Sequence, residues 1–291
     1  MTDSTIDRPG AIDARPVRHP WRWVTVGIIT VLVAMMINSF ITNPRWDWGY
    51  VLKVMNYSPI LQGLLYGTLL GTVIAMTIGV SLGILMAIMR LSSNPVLRVV
   101  SSVYTWFFRS VPRYVLLTIL GVGLIYLYPT IDIGVPFGQQ LSSLFGWSYD
   151  LTFFELDVRS ISGGIAIGAL GLGLSEAAYM AEIARAGILS VDRGQREAAQ
   201  ALGMPGSLTM RRIVLPQAMR VIVPPTGNET IAMVKDTSLL AAVPVGMELF
   251  NQATIVANRT YRIMPAYVAA TLWYIIVCSV CLLYTSPSPR D

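Results

Sequence analysis

The sequence predicts an all-α integral membrane protein of about six transmembrane helices. Three observations carry that prediction. Of its 291 residues 54% are hydrophobic, with a mean hydropathy of +0.60. Only 13% are charged, about half the ~25% usual for soluble domains. Uncharged stretches long enough for a span recur: 22 residues between Arg22 and Arg45, and 36 between Lys53 and Arg90. Crossing bilayer hydrocarbon takes about 20 apolar residues in a helix. Disorder is excluded, because its signature is low hydrophobicity with high charge.

Composition also narrows the chemistry. The net charge is +5, and arginine supplies nearly all the positive charge, since Lys53 and Lys235 are the two lysines. Arginine-rich cytoplasmic loops explain a basic membrane chain without a nucleic-acid partner. The single histidine is His19, and no cluster has metal-ligand spacing. Neither lysine follows a glycine, so a GxxxxGK[ST] nucleotide loop is impossible and no cofactor is expected on this chain. Cys278 and Cys281 lie in an apolar run and read as small buried hydrophobes.

The elements follow in order. Residues 1–23 read as a cytoplasmic tail and 24–41 as a first span. Its apolar part is too long for a secretory signal, so it reads as retained. The second span covers about Pro59 to Met89. The third, Val99 to Tyr128, is interrupted by Arg109, Pro112 and Arg113. The fourth, Ile161 to Ala184, carries Glu176 and Glu182. The fifth, Val221 to Val245, carries Glu229, Lys235 and Asp236. The last runs from Ile263 to Tyr284. With the N-terminus inside, 13 basic residues fall in cytoplasmic segments, five outside and three within spans, a positive-inside bias. Gly63, Gly67, Gly71, Gly79 and Gly83 lie near one face of the second span, where four-residue spacing lets helix backbones approach closely; Gly164 and Gly168 make another such pair.

The inner loop 190–216 is the most informative stretch. Asp192, with Gln195 three residues on, has the form of a capping box. Gly203 and Pro205 close the helix that follows. A second short helix is expected from Ser207 to Val214, stopped at Leu215-Pro216. Ala198, Ala199 and Gly203 leave little side-chain bulk, so the first helix reads as a docking element. From physics alone an ordinary amphipathic helix serves equally well.

The residues also carry a resemblance. Glu197-Ala198-Ala199, three residues, Gly203, nine residues, Ile213, one residue and Leu215-Pro216 match the EAA signature of bacterial ABC importer permeases at every position. Flanking residues resemble the polar amino acid subfamily: Ala177 to Ile183, Pro224 to Glu229 and Lys235 to Leu239. Phe108-Arg109-Ser110-Val111-Pro112 is similar to its FxRGTP element, with Ser-Val in place of Gly-Thr. The resemblance spans roughly residues 59–280. It implies a MetI-like permease fold with a core over 59–284 in the bacterial inner membrane. It also implies that Glu197, Ala198, Ala199, Gly203, Ile213, Leu215 and Pro216 couple the chain to a separate ATPase subunit, which carries the ATP. The implied partners are ATPase subunits, an extracytoplasmic substrate-binding protein, a second permease copy or paralogue, and membrane lipid. The outer loop from Tyr128 to Arg159 looks longer than in the shortest members. Residues 285–291, Thr-Ser-Pro-Ser-Pro-Arg-Asp, depart from the usual basic tail and read as an atypical end.

Ionisable groups within spans are costly and face protein or water. Glu176 is placed near the inner interface, and Glu182 with Arg185 as a structural pair. Asn228, Glu229, Lys235 and Asp236 are candidates for the translocation path, with Glu176. Pro224-Pro225 is expected to unwind the helix there. The alternatives are a stand-alone secondary carrier using Glu176 or Glu229 for proton coupling, and a membrane enzyme, which the absence of a catalytic constellation disfavours.

Overall fold

The computed structural model describes residues 20–146, 152–158, 165–243 and 246–285. The expectations for residues 1–19, for Gly164 and for 286–291 lie outside the described residues. The chain divides into two units, Met1–Trp46 and Asp47–Asp291. In the first, helix α1 (Pro20–Thr42) has the length and apolarity to cross a membrane. Its apolar residues favour no face, as suits a helix surrounded by lipid.

The second unit opens with α2 (Trp48–Met55), capped by the Asp47 side chain. Helix α3 (Ser58–Leu91) then runs unbroken for 34 residues, with a π-turn at Gly63–Leu69. The third expected span resolves into two helices, α4 (Pro95–Ser110) and α5 (Arg113–Thr118). The latter continues through a π-turn to Leu124–Leu127. Pro112 separates them: it lacks an N–H and forces the preceding residue out of helical geometry, and Val111 is accordingly extended, at φ −86°, ψ 125°. The outer segment holds an antiparallel pair, β1 (Thr130–Gly134) and β2 (Thr152–Asp157), with α6 (Gly138–Phe145) between them. Neither strand was legible in a sequence dominated by helical runs.

Helix α7 (Ile165–Leu189) packs along α3 in the most extensive helix contact of the unit. Helix α8 (Arg193–Ala201) follows. Then α9 (Gly206–Thr209) passes through a π-turn (Met210–Val214) into α10 (Leu215–Asp236). The expected stop at Leu215-Pro216 is therefore overturned. Pro216 enters just after the π-turn, where the hydrogen-bond ladder is already changing register, so its missing N–H is tolerated. Pro224 and Pro225 likewise lie inside a continuous helix, not in the unwound segment expected. The helix gives way later, to a 3₁₀ segment at Thr237–Ala242. An unexpected helix, α11 (Leu249–Thr260), precedes α12 (Ile263–Thr285).

Among the described residues three helices are long and apolar enough to cross a membrane: Trp21–Thr42, Ser58–Leu91 and Ile263–Leu283. Helices α7 and α10 have 25 and 22 residues but carry charges within them. The glycine face of α3 performs as its spacing suggests. A Cβ on Gly67 would lie 2.1 Å from the Met247 carbonyl oxygen, and one on Gly83 2.5 Å from Met180 Cβ. Glycine alone permits either approach. Cys278 and Cys281 are partly exposed rather than buried.

Candidate functional site

Two regions concentrate the polar chemistry: an ion cluster within the bundle and the loop around α8.

The cluster is built from three helices. Pro112 ends the extended break, so Arg113 stands at the first position of α5 and reaches inward. One of its terminal nitrogens donates to Glu176 Oε2 at 2.9 Å. The other donates to Asp236 Oδ2. Its guanidinium lies 4.9 Å from the centroid of the Tyr179 ring, with Arg109 5.6 Å from the same ring. Both contacts are of cation–π type. Two carboxylates from two helices thus share one guanidinium. A forked, planar donor is suited to holding two carboxylates at once.

This arrangement corrects the expectation for Glu176. It is not solvated at the inner interface; its side chain is fully buried, facing Gly79 on α3. Its Oε1 and Ser175 Oγ are buried without a hydrogen-bond partner among the described residues. Asp236 is tied to Arg113, while Glu229 is half-buried and Lys235 and Asn228 are exposed. The four α10 candidates thus divide, with Lys235 and Asn228 turned away from the cluster. Arg113 was the residue missed as a partner. The available signal was a charge directly after a proline inside an apolar region, which requires a counter-charge. Beside Tyr179 opens a cleft of about 430 Å³, lined by Arg90, Arg109 and Glu182 among others. Glu182 pairs with Arg185 at 2.8 Å, as expected, and lies 3.9 Å from Arg90.

A second buried carboxylate was not anticipated. Glu248, fully buried, accepts hydrogen bonds from Thr68 Oγ1 at 3.0 Å and from the Tyr274 hydroxyl. It also accepts from the backbone N–H groups of Phe250 and Asn251. One side chain therefore caps α11 and ties it to α3 and α12.

The second region is the loop. Asp192 caps α8 by accepting from Gly194 N at 2.6 Å, one residue earlier than the capping box implies. Gly203 has φ +74°, and the N–H of Met204 donates to Ala199 O. This left-handed closure suits glycine. The motif residues do not share one face. Ala199 is buried and belongs to the chain's own packing, where α8 meets α9 and the π-turn that follows. Glu197, Ala198, Gly203, Leu215 and Pro216 are exposed, and Ile213 is half-buried. The small-residue face expected of Ala198, Ala199 and Gly203 together is thus replaced by Ala198 beside Leu202, which is 82% exposed and was not singled out.

Closely packed helices, three of them long and apolar enough to span a membrane, a buried ion cluster between helices and a capped helix in a connecting loop define a polytopic membrane protein. A family model described as binding-protein-dependent transport system inner membrane component matches residues 79–285. The chain is 40% identical over 277 residues to the arginine transport system permease protein ArgU of Corynebacterium glutamicum, covering 95% of this chain and 81% of that protein. It is 33% identical over 198 residues to the probable amino-acid ABC transporter permease protein YckA of Bacillus subtilis, covering 68% and 74% respectively. A crystal structure of an amino acid ABC transporter with histidines is 30% identical, with a TM-score of 0.60 over 78% of this chain and 91% of that one. A bacterial alginate ABC transporter, crystallised with a pentasaccharide-bound periplasmic protein, has a TM-score of 0.58 at 13% identity, covering 91% of this chain and 92% of that one; that likeness is one of fold alone.

The chain therefore belongs to the family of binding-protein-dependent transport system inner membrane components. It is a permease subunit of an ATP-binding cassette importer, a transport component and not an enzyme. The readings as a stand-alone secondary carrier or a membrane enzyme fall away. Its partners are those of an ABC importer.

Proposed function

We propose that this permease imports a polar amino acid, with arginine the leading substrate. The observation that carries the proposal is the Arg113 site: a guanidinium held between Glu176 and Asp236 over an aromatic ring. Protein surroundings that accommodate one guanidinium suit a path for another. The naming of the 40% identical relative for arginine transport supports the same choice. In this reading Glu229 and Asp236 line the path, with Glu176 holding Arg113 in place.

The partners proposed are two ATPase subunits carrying the ATP, an extracytoplasmic binding protein, and a second copy of the chain or a paralogue. The ATPase docks on α8 and the loop after it, through Glu197, Ala198, Gly203, Leu215 and Pro216, with the buried Ala199 and half-buried Ile213 supporting the loop. The N-terminus lies in the cytoplasm. ATP-driven closure moves α8 and rocks the bundle between its open states.

The test is reconstitution of the chain with its ATPase and binding protein, followed by a screen of amino acids for stimulated ATP hydrolysis. Arginine is expected to stimulate severalfold and leucine not at all. Stimulation by apolar amino acids alone overturns the substrate class. Glu229→Gln keeps shape and removes charge. It is expected to lower arginine uptake while assembly and basal hydrolysis persist; unchanged uptake removes Glu229 from the path.

A further inference from the structure

Far from the ion cluster in sequence, a cleft of about 310 Å³ opens between α2, the start of α3 and the C-terminal half of α11. That volume is at the lower end of small-molecule sites. Two cations line it, Lys53 and Arg259. Both are exposed, and neither has an ion-pair partner among the described residues. Their neighbour Arg262 differs: it pairs with Asp47 at 2.7 Å and lies over the Tyr50 ring at 4.5 Å. The positive charge left unbalanced is thus concentrated in the cleft. Tyr50, Tyr57 and Thr260 add hydroxyl groups to the lining, while Val54 and Val256 form an apolar wall.

The level of the cleft in the membrane follows from the helices. Helix α3 has 34 residues, about 51 Å at 1.5 Å per residue, against roughly 30 Å of hydrocarbon. Its ends therefore extend into the headgroup regions, and Pro59 in its first turn lines the cleft. Exposed charges at Lys53, Arg259 and Arg262 belong at that level and not in hydrocarbon. Helix α2 also exposes Trp48 and Leu52, and Tyr57 is exposed just before α3, the aromatic and apolar mixture that sits at a membrane interface.

We propose that this cleft binds the phosphate of an anionic phospholipid, with Lys53 and Arg259 on the phosphate and an acyl chain along the Val54–Val256 wall. Free phosphate shares the charge but lacks the chain. A binding protein docking on this end would instead present carboxylates.

The experiment uses the full-length chain in zwitterionic detergent and follows its thermal midpoint. Short-chain phosphatidylglycerol, short-chain phosphatidylcholine and inorganic phosphate are titrated separately. Phosphatidylglycerol is expected to raise the midpoint with saturation, and the other two are not. Lys53→Gln and Arg259→Gln should each weaken the apparent affinity about five-fold, from about 1 kcal/mol per basic residue at a lipid surface. Arg259→Lys should retain most of it. Both positions are exposed, so the variants are expected to fold, and an unchanged midpoint without lipid checks this. An equal response to inorganic phosphate overturns the lipid assignment in favour of a free-anion site. An undiminished phosphatidylglycerol response in the double variant overturns the site. Loss of binding-protein capture by the double variant, with its lipid response intact, shows a protein dock and equally overturns it.

Discussion

Gly79 stands directly against Glu176: a Cβ on the glycine would lie 2.7 Å from the Cγ and 2.8 Å from the Cβ of the glutamate. The closeness of α3 and α7 thus depends on a hydrogen atom facing a buried carboxyl side chain. The same closeness places Glu176 where Arg113 can reach it. Packing and ion pairing are one structural fact at this level of the bundle.

Gly79→Ala should therefore disturb both. The displaced atoms are the near end of the Glu176 side chain, which cannot swing aside, so overpacking costs about 1–3 kcal/mol. A lowered thermal midpoint of the detergent-solubilised chain is the expected outcome. Gly27→Ala is the control, since nothing lies within 4 Å of a Cβ there. Equal midpoints for the two variants would show that α3 and α7 have room to spare.

Arg113→Met leaves Glu176 and Asp236 without their counter-charge. Removing one partner of a buried ion pair typically costs about 3–5 kcal/mol, and Arg113→Met should fall in that range by thermal unfolding. Adding Glu176→Gln to it should recover part of the loss, because a neutral amide is cheaper to bury than a carboxylate. If the double variant is less stable than Arg113→Met alone, Glu176 has another partner that outweighs the arginine.

At Gly203 the backbone and the available space make different demands. The residue is left-handed at φ +74°, yet a Cβ would meet nothing within 4 Å in the chain. Gly203→Asn should keep the turn, since asparagine tolerates this conformation. Gly203→Val should lose it, with reduced co-purification of the ATPase. Equal loss in both variants would mean that a partner surface, not the turn, requires glycine.

Leu202 should act as a knob on the docking surface. Leu202→Asp replaces an 82% exposed side chain, so stability should change by less than about 0.5 kcal/mol. ATPase capture from a mixed extract should nevertheless fall. Full capture with normal stimulated hydrolysis would place the contact elsewhere on α8.

Topology can be read with a membrane-impermeant thiol reagent in a background lacking Cys278 and Cys281. A cysteine at Gln200 should be shielded in intact cells and one at Ser143 labelled; both positions are exposed. Labelling at Gln200 from outside would reverse the proposed orientation.

Much of this was legible in one dimension. Apolar length marks a membrane helix irrespective of its neighbours, because the bilayer sets one thickness for every span; so α1, α3 and α12 stand where the residues placed them. The EAA spacing marked α8, and the Asp192 cap and Gly203 turn bound it at the expected ends, because capping is a local hydrogen-bond requirement. The glycine face of α3 needed only helical periodicity.

The tertiary structure decided the remainder. Arg113 and Asp236 are 123 residues apart and Thr68 and Glu248 are 180 apart, and no local pattern encodes such pairings. Which alanine of Glu197-Ala198-Ala199 is buried depended on how α8 packs against α9 and the π-turn after it. Pro216 looked like a stop and Pro224-Pro225 like an unwound segment, yet α10 accommodates all three. A proline fixes its own φ and removes one donor; whether the helix continues depends on what packs around it. Charge at mid-span identified residues that need a partner, and the approach of α3, α5, α7 and α10 selected the partner.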